Sequence, residues 1–243
     1  METISINRLK IVVIGSCNTD MVVKANRLPV PGETIIGGHF YMNPGGKGAN
    51  QAIAAARLGA EVTFISKIGY DLFGLQALEI YRSEKINTEY IFTDQKSPSG
   101  VALISVDSFG ENSIIVAPGA SRSLSIEDIN KAEEKIKEAD IILMQLEIPI
   151  DTVEYAATIA CKYGKKVILN PAPASSLSNS FLMNVHTILP NRIEEELLSG
   201  IKVMNIESAH SAATAIREKG IENVVITLGN DGAHANEKAE YTM

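Results

Sequence analysis

Short, continuous apolar runs recur along the chain, each closed by glycine or polar residues. Ile11-Val12-Val13-Ile14 ends in Gly15. Val62-Thr63-Phe64-Ile65-Ser66, Ile141-Ile142-Leu143-Met144, Val167-Ile168-Leu169, Thr187-Ile188-Leu189 and Val224-Val225-Ile226-Thr227 repeat the signature. Runs without polar alternation suit strands buried on both faces of a parallel sheet. Between them, Ser125 to Glu138, Ile150 to Tyr163, Arg192 to Ser199 and Ser208 to Lys219 carry helical spacing. The first opens with Ser125-x-x-Asp128, a capping-box pattern with Asp in place of Glu or Gln. Alternation of this kind predicts an α/β fold, a doubly wound, mostly parallel sheet with helices on both faces.

Two stretches break the alternation. Met21 to Tyr41 carries Met21-Val22-Val23 and Thr34-Ile35-Ile36, split by Pro29, Pro31 and Gly32. Val101 to Val116 carries Val101–Val106 and Ser113–Val116, split by Gly110, which is a hairpin signal. Together they predict a small β-sheet inserted into a single domain spanning residues 1–243. Two readings of it stay open, a flap that closes over a ligand and excludes water or an ordinary surface hairpin.

One loop concentrates candidate chemistry. In Asn43-Pro44-Gly45-Gly46-Lys47-Gly48-Ala49-Asn50-Gln51, glycines surround a lysine and an apolar helical run, Ala52 to Leu58, follows. Glycine lets backbone approach a ligand closely, and a helix opening there offers N–H groups to polar oxygens. The segment reads as a grip on a small, oxygen-rich ligand. It is no Walker A loop, because Gly48 stands where the Mg²⁺-binding hydroxyl belongs.

Composition narrows the partners. The net charge of −7 argues against nucleic acid and anionic membrane surfaces. No apolar run reaches membrane-spanning length, and Met1 to Leu9 is too polar for a signal peptide. Cys17 and Cys161 make no disulfide framework, so a cytoplasmic protein with reduced thiols is expected. His39, His186, His210 and His234 show no metal-ligand spacing.

In open α/β sheets, ligands bind outside the carboxyl ends of the strands. Polar groups stand at five such ends: Asn18-Thr19-Asp20, Gln145-Leu146-Glu147, Asn170-Pro171-Ala172-Pro173, Pro190-Asn191 with Glu194 one turn on, and Gly229-Asn230-Asp231-Gly232. Each alone has a cheap explanation as a cap or turn. Their recurrence at successive strand ends predicts one convergent site.

These motifs resemble those of the ribokinase family of carbohydrate kinases across essentially the whole chain. The resemblance rests on Gly15-Ser16-x-Asn18-x-Asp20, Pro31-Gly32-Glu33, Gly45-Gly46-Lys47-Gly48-Ala49-Asn50-Gln51-Ala52, Met144-Gln145-Leu146-Glu147, Asn170-Pro171-Ala172-Pro173-Ala174, Pro190-Asn191-x-x-Glu194 and Thr227-Leu228-Gly229-x-x-Gly232. Asn-x-Asp together with Asn-Pro-Ala-Pro-Ala is more similar to the ribose-specific branch than to fructokinase, ketodeoxygluconate kinase or adenosine kinase. The resemblance implies transfer of the ATP γ-phosphoryl group to O5 of D-ribose. Asn18, Asp20, Gly46, Lys47, Asn50 and Glu147 would bind the sugar. Asn191, Thr227, Gly229 and Gly232 would serve the nucleotide, and Glu194 would order Mg²⁺ through water. It also implies a monovalent cation such as K⁺, whose loops are largely missing here, and a homodimer formed through the lid.

The chain departs from the family at one point. The family's second motif, Gly-Ala-Gly-Asp, supplies an anion hole and the general base. Among Asp20, Asp71, Asp94, Asp107, Asp128, Asp140, Asp151 and Asp231, none follows Gly-x-Gly at a helix start. The base is expected beyond Met243. Impaired catalysis follows, and three readings stay open: a truncated or frame-shifted product, a kinase completed by another chain, or a non-catalytic sugar-binding or regulatory protein.

Overall fold

The computed structural model describes residues 8–236, so the outer limits of the expected domain and the final Glu240–Met243 lie outside the described residues. The chain runs through β1 (Lys10–Ile14), β2 (Asn18–Lys24), β3 (His39–Gly45), α1 (Lys47–Arg57), β4 (Glu61–Gly69), α2 (Leu72–Ser83) and β5 (Ile91–Asp94). Next come β6 (Gly100–Val106), β7 (Asn112–Ala117), a short turn of tight helix (Gly119–Ser123), α3 (Ile126–Lys131) and α4 (Glu133–Glu138). The remainder alternates: β8 (Ile141–Met144), α5 (Ile150–Lys162), β9 (Lys166–Leu169), α6 (Asn179–Leu182), β10 (Thr187–Ile188), α7 (Arg192–Ser199), α8 (Ile206–Arg217), β11 (Asn223–Thr227) and β12 (Ala233–Asn236).

The main sheet has the order β12-β11-β10-β9-β8-β1-β4-β5. All its neighbours pair in parallel except β11 and β12, which are antiparallel at one edge. β1 is the pivot. Ile14 sits opposite Ile65 on one side and Met144 on the other. The connection after β1 leads to β4, and β8 later adds on the opposite side, so a topological switch point lies between β1 and β8.

Alternate side chains feed two cores. Val12 and Ile14 join Ile142, Met144, Val167, Leu169 and Ile188 beneath the helices from α3 onward. Val13 faces the other way, with Val62 and Phe64 against Ala49, Ala52 and Ala55 of α1. Burying each large aliphatic contributes about 1.5–3 kcal/mol before chain entropy is counted. That second face is covered unevenly. Ile11, Leu143, Ile168 and Leu189 line an apolar groove of about 740 Å³ beside Ala54 and Leu58.

The lid is a separate sheet of order β3-β2-β6-β7. β2 pairs antiparallel with β3 and parallel with β6, while β6 and β7 form the expected hairpin. Its first pair of strands differs from expectation. Thr34-Ile35-Ile36 forms no strand, and Ile36 is 99% exposed. Gly37 and Gly38, with φ of 122° and 102°, redirect the chain after it, so β2's partner is His39–Gly45 instead. β3 therefore runs straight into the glycine loop.

Helix limits were mostly as expected, with three differences, the first being that α1 opens at Lys47 inside the glycine loop and not at Ala52 after it. Ser125 and Asp128 form the anticipated capping box, but the helix breaks at Ala132, giving α3 and α4. There the Ala132 amide donates to the Ile129 carbonyl in a tighter turn. α8 starts earlier than Ser208, because Asn205 is its N-cap and Ser208 closes the box. Among the described residues, no helix is long and apolar enough to cross a membrane.

Candidate functional site

The glycine loop ends in a tight N-terminal turn of α1. Gly46 is the N-cap with φ 91°, a conformation that side-chain-bearing residues rarely adopt. Gly48 lies against β1's end, where a Cβ would come within 2.7 Å of the Gly15 carbonyl carbon and the Ser16 nitrogen. Glycine is what allows this helix to start in contact with the strand.

The amides of that first turn are already engaged. Lys47 N donates to Glu147 Oε2 at 2.9 Å, Gly48 N to Ser16 Oγ at 3.4 Å, and Ala49 N to the Ser16 carbonyl at 3.0 Å. The expectation that these N–H groups face a ligand is therefore corrected. They hold Glu147 and Ser16, and the helix dipole favours the carboxylate placed there. What the loop presents outward is side chains.

Glu147 comes from the end of β8 and Lys47 from α1. Lys47 Nζ lies 3.4 Å from Glu147 Oε1. The lysine is half exposed, so the pair itself adds no more than about 1 kcal/mol. Ser16 Oγ donates to Glu147 Oε2 at 2.5 Å. Gln145, two residues before Glu147 and fully buried, donates from Nε2 to Gln51 Oε1 of α1 at 2.5 Å. The segment that follows β8 thus grips α1 twice.

Asp20 and Asn18 enter from β2. Gly45 pairs with Asn18, and a Cβ on Gly45 would reach within 1.9 Å of Asp20 Oδ1. The absence of a side chain there makes room for the carboxylate. Burial raises the Asp20 pKa, Glu147 raises it further, and Lys47 offsets part of the rise. Asn18 is buried, and its Oδ1 accepts no hydrogen bond from the described residues. An orphaned amide oxygen of this kind is what a ligand hydroxyl satisfies.

A pocket of about 390 Å³ opens between the lid and the sheet, lined among others by Ser16, Asn18, Lys47, Arg122 and Glu147. Of the six residues expected on the sugar side, Asn18, Lys47 and Glu147 line its wall. Asp20 and Gly46 are not among its lining residues: Asp20 lies against Gly45, and Gly46 is the N-cap of α1 next to Lys47. Asn50 lies one turn beyond Lys47 on an exposed face of α1. Sequence reasoning assigned no role to Arg122, which projects from the turn after β7, or to Ser16. Ser16 lies within a quoted motif, but its contact with Glu147 spans 131 positions of sequence.

The residues expected on the nucleotide side gather at the ends of β10 and β11. Asn191 and Thr227 form an isolated parallel bridge, and Thr227 N donates to the Pro190 carbonyl at 2.9 Å. Arg192 donates to the Leu228 carbonyl at 3.3 Å and to Asp231 Oδ2 at 2.5 Å, fastening the glycine turn to α7. Gly229 and Gly232 take φ of 66° and 85° in that turn. Asn191 is the N-cap of α7, accepting from Ile193 N and Glu194 N at 2.9 Å. Glu194 is buried and closes the capping box, accepting from Asn191 N and Nδ2 at 2.9 Å each. Strands β8 and β10, which Glu147 and Asn191 follow, stand two strand spacings apart in the sheet, about 10 Å.

Among the described residues no cluster of three or more His, Cys, Asp or Glu side chains suits a metal by itself. Mg²⁺ in phosphoryl transfer takes one or two carboxylates and fills its shell from phosphates and water. Glu194 as a single carboxylate at a helix start is compatible with that arrangement. Cys17, beside Asn18, is a structural thiol. It is buried against the Tyr81 hydroxyl at 2.9 Å, and burial pushes its pKa up to about 11.

Comparison with known proteins agrees with this geometry. The profile of the pfkB family of carbohydrate kinases matches residues 8–242. A ribokinase of Haemophilus influenzae is 45% identical over 233 residues, covering 96% of this chain and 76% of that protein. A deoxyribokinase of Salmonella typhi is 38% identical, covering 93% of this chain and 74% of that protein. The structure of Arabidopsis thaliana ribokinase complexed with ribose and ATP superposes with a TM-score of 0.84 at 30% identity, covering 96% of this chain and 76% of that one. With the family profile matched from end to end of the described fold, this chain belongs to the pfkB family of carbohydrate kinases, as a sugar kinase related to the ribokinases.

Proposed function

We propose that the pocket between lid and sheet binds D-ribose and that the fold directs its O5 hydroxyl toward the γ-phosphoryl group of ATP. The observation that carries this reading is the cluster of Asn18, Lys47 and Glu147 around one pocket, with Asp20 against it. Asp20 accepts from sugar hydroxyls, Asn18 Oδ1 gains its missing partner, and Lys47 and Asn50 donate from α1. Gly46 keeps the loop close enough for contact. Asn191, Thr227, Gly229 and Gly232 receive the nucleotide, and Glu194 orders the waters of Mg²⁺. Bound Mg²⁺ neutralises phosphate charge, and the protein's share is positioning. Lys47, which lines the pocket beside Glu147, acts as a sugar ligand.

The lid supports a homodimer. Phe40, Tyr41, Leu103, Ile114 and Ile115 are exposed on it, and exposed apolar residues grouped on one sheet mark a surface suited to association. Unpaired Cys17 and Cys161 suit a reducing cytoplasm.

None of the described aspartates follows a Gly-x-Gly at a helix start, so we further infer slow turnover for the 243-residue polypeptide. General-base assistance is worth about 10²–10⁴-fold. A phosphoryl-transfer assay with D-ribose, ATP and Mg²⁺ tests this. The expected product is ribose 5-phosphate, formed at least about a hundredfold more slowly than by an intact ribokinase. Turnover within tenfold of such an enzyme contradicts the impairment. Faster transfer to 2-deoxyribose or fructose contradicts the ribose assignment.

A further inference from the structure

Ser16 follows the glycine that ends β1 and is 1% exposed. Its hydroxyl has one proton to give. That proton goes to Glu147 Oε2 at 2.5 Å, and the same oxygen atom of Ser16 receives the Gly48 amide at 3.4 Å. Its carbonyl receives the Ala49 amide at 3.0 Å. One residue therefore joins the end of β1, the first turn of α1 and the carboxylate at the end of β8.

The consequence falls on Glu147. Oε2 accepts from both Ser16 and the Lys47 amide, whereas Oε1, among the described residues, meets only the Lys47 ammonium, at 3.4 Å. Glutamate has a broad terminal torsion and is oriented only by what holds its oxygens. One N–H donor fixes a distance, and two donors on one oxygen also fix the plane of the carboxylate. We propose that Ser16 is a positioning residue for substrate binding: it holds Glu147 so that Oε1 is the oxygen presented to the sugar. This rests on the reading of the pocket as a D-ribose site. Ser16 acts through Glu147 and needs no contact with the sugar.

A double-mutant cycle read by calorimetric titration with D-ribose tests the proposal. Ser16→Ala is expected to weaken binding by about tenfold, the size of one hydrogen bond to a charged group. In a Glu147→Gln background the same substitution is expected to change affinity by less than about twofold, because the group it orients is already altered. Ser16→Cys keeps the size and replaces a strong donor with a weak one. It supplies the same comparison if the alanine variant does not fold. An equal effect of Ser16 substitution in both backgrounds, or no effect in the wild type, overturns the positioning role. A wild-type chain that binds no D-ribose overturns the ribose reading and this proposal with it.

Discussion

Glu147 caps the helix that begins at Lys47, its Oε2 accepting the Lys47 amide at 2.9 Å while its Oε1 lies 3.4 Å from the Lys47 ammonium. The same lysine meets the carboxylate through backbone and side chain. Strand β8 and helix α1 are therefore joined at the point where the sugar is expected to bind. Glu147→Ala removes the acceptor for two donors, Lys47 N and Ser16 Oγ, in a partly buried place. Leaving them unpaired is expected to lower stability by about 1–3 kcal/mol. Urea denaturation checks this, and an unchanged midpoint contradicts the capping role.

Asp20 sets function against stability. Its pKa is raised first by burial, then by Glu147, so the fold disfavours its charged form. The stability linked to Asp20 is complete below its unfolded pKa and is lost as pH rises through the folded one. Asp20→Asn is accordingly expected to raise the Tm at pH 7 and to leave it almost unchanged near pH 3. Thermal unfolding across pH reads the result, and a lower Tm at pH 7 contradicts it.

Glu195 makes the same argument away from the sugar pocket. It is fully buried in α7, and neither carboxylate oxygen accepts a hydrogen bond of normal geometry from the described residues. Burial raises its pKa, Ser199 one turn on offsets part of the rise, and Glu196 adds to it. Its ionised form costs stability at neutral pH and ceases to do so as pH falls below the folded pKa. Glu195→Gln is expected to stabilise the chain at pH 7 by about 1–3 kcal/mol. A gain of equal size at pH 3 contradicts the electrostatic origin.

Two exposed apolar surfaces predict association. On the lid, Ile115→Asp is expected to convert a dimer into a monomer in sedimentation velocity, with the secondary structure kept. In the groove lined by Ile11, Leu143 and Ile168, a parallel sheet lies partly uncovered, which such sheets rarely tolerate. The 243-residue polypeptide is expected to bind a hydrophobic dye there and to self-associate as its concentration rises. A monodisperse monomer that binds no dye contradicts both expectations.

The sequence disclosed the central strands because burial on both faces leaves an unbroken apolar run, as in Ile11–Ile14. Edge strands lack that signature, and Ala233–Asn236 carries none of it. Thr34-Ile35-Ile36 looked like a strand by composition but has no partner, since pairing with β2 fell to the more polar His39–Gly45. Asn18, Asp20, Lys47 and Glu147 were legible as polar groups at strand ends and in a glycine loop. What the amides of α1 bind was not legible. It depends on Glu147 arriving from 100 residues away along the chain. Glu194 was legible as a helix-start glutamate, and its capping geometry with Asn191 accounts for that much of its signal.

Calorimetric titration of D-ribose into the chain and into Asp20→Ala tests the central claim most directly. The account predicts measurable binding to the wild type, weakened by about 1–3 kcal/mol, or about 5- to 150-fold, when the carboxylate is removed. Equal affinity of the two proteins, or no binding by the wild type, contradicts a ribose site built on Asn18, Asp20, Lys47 and Glu147.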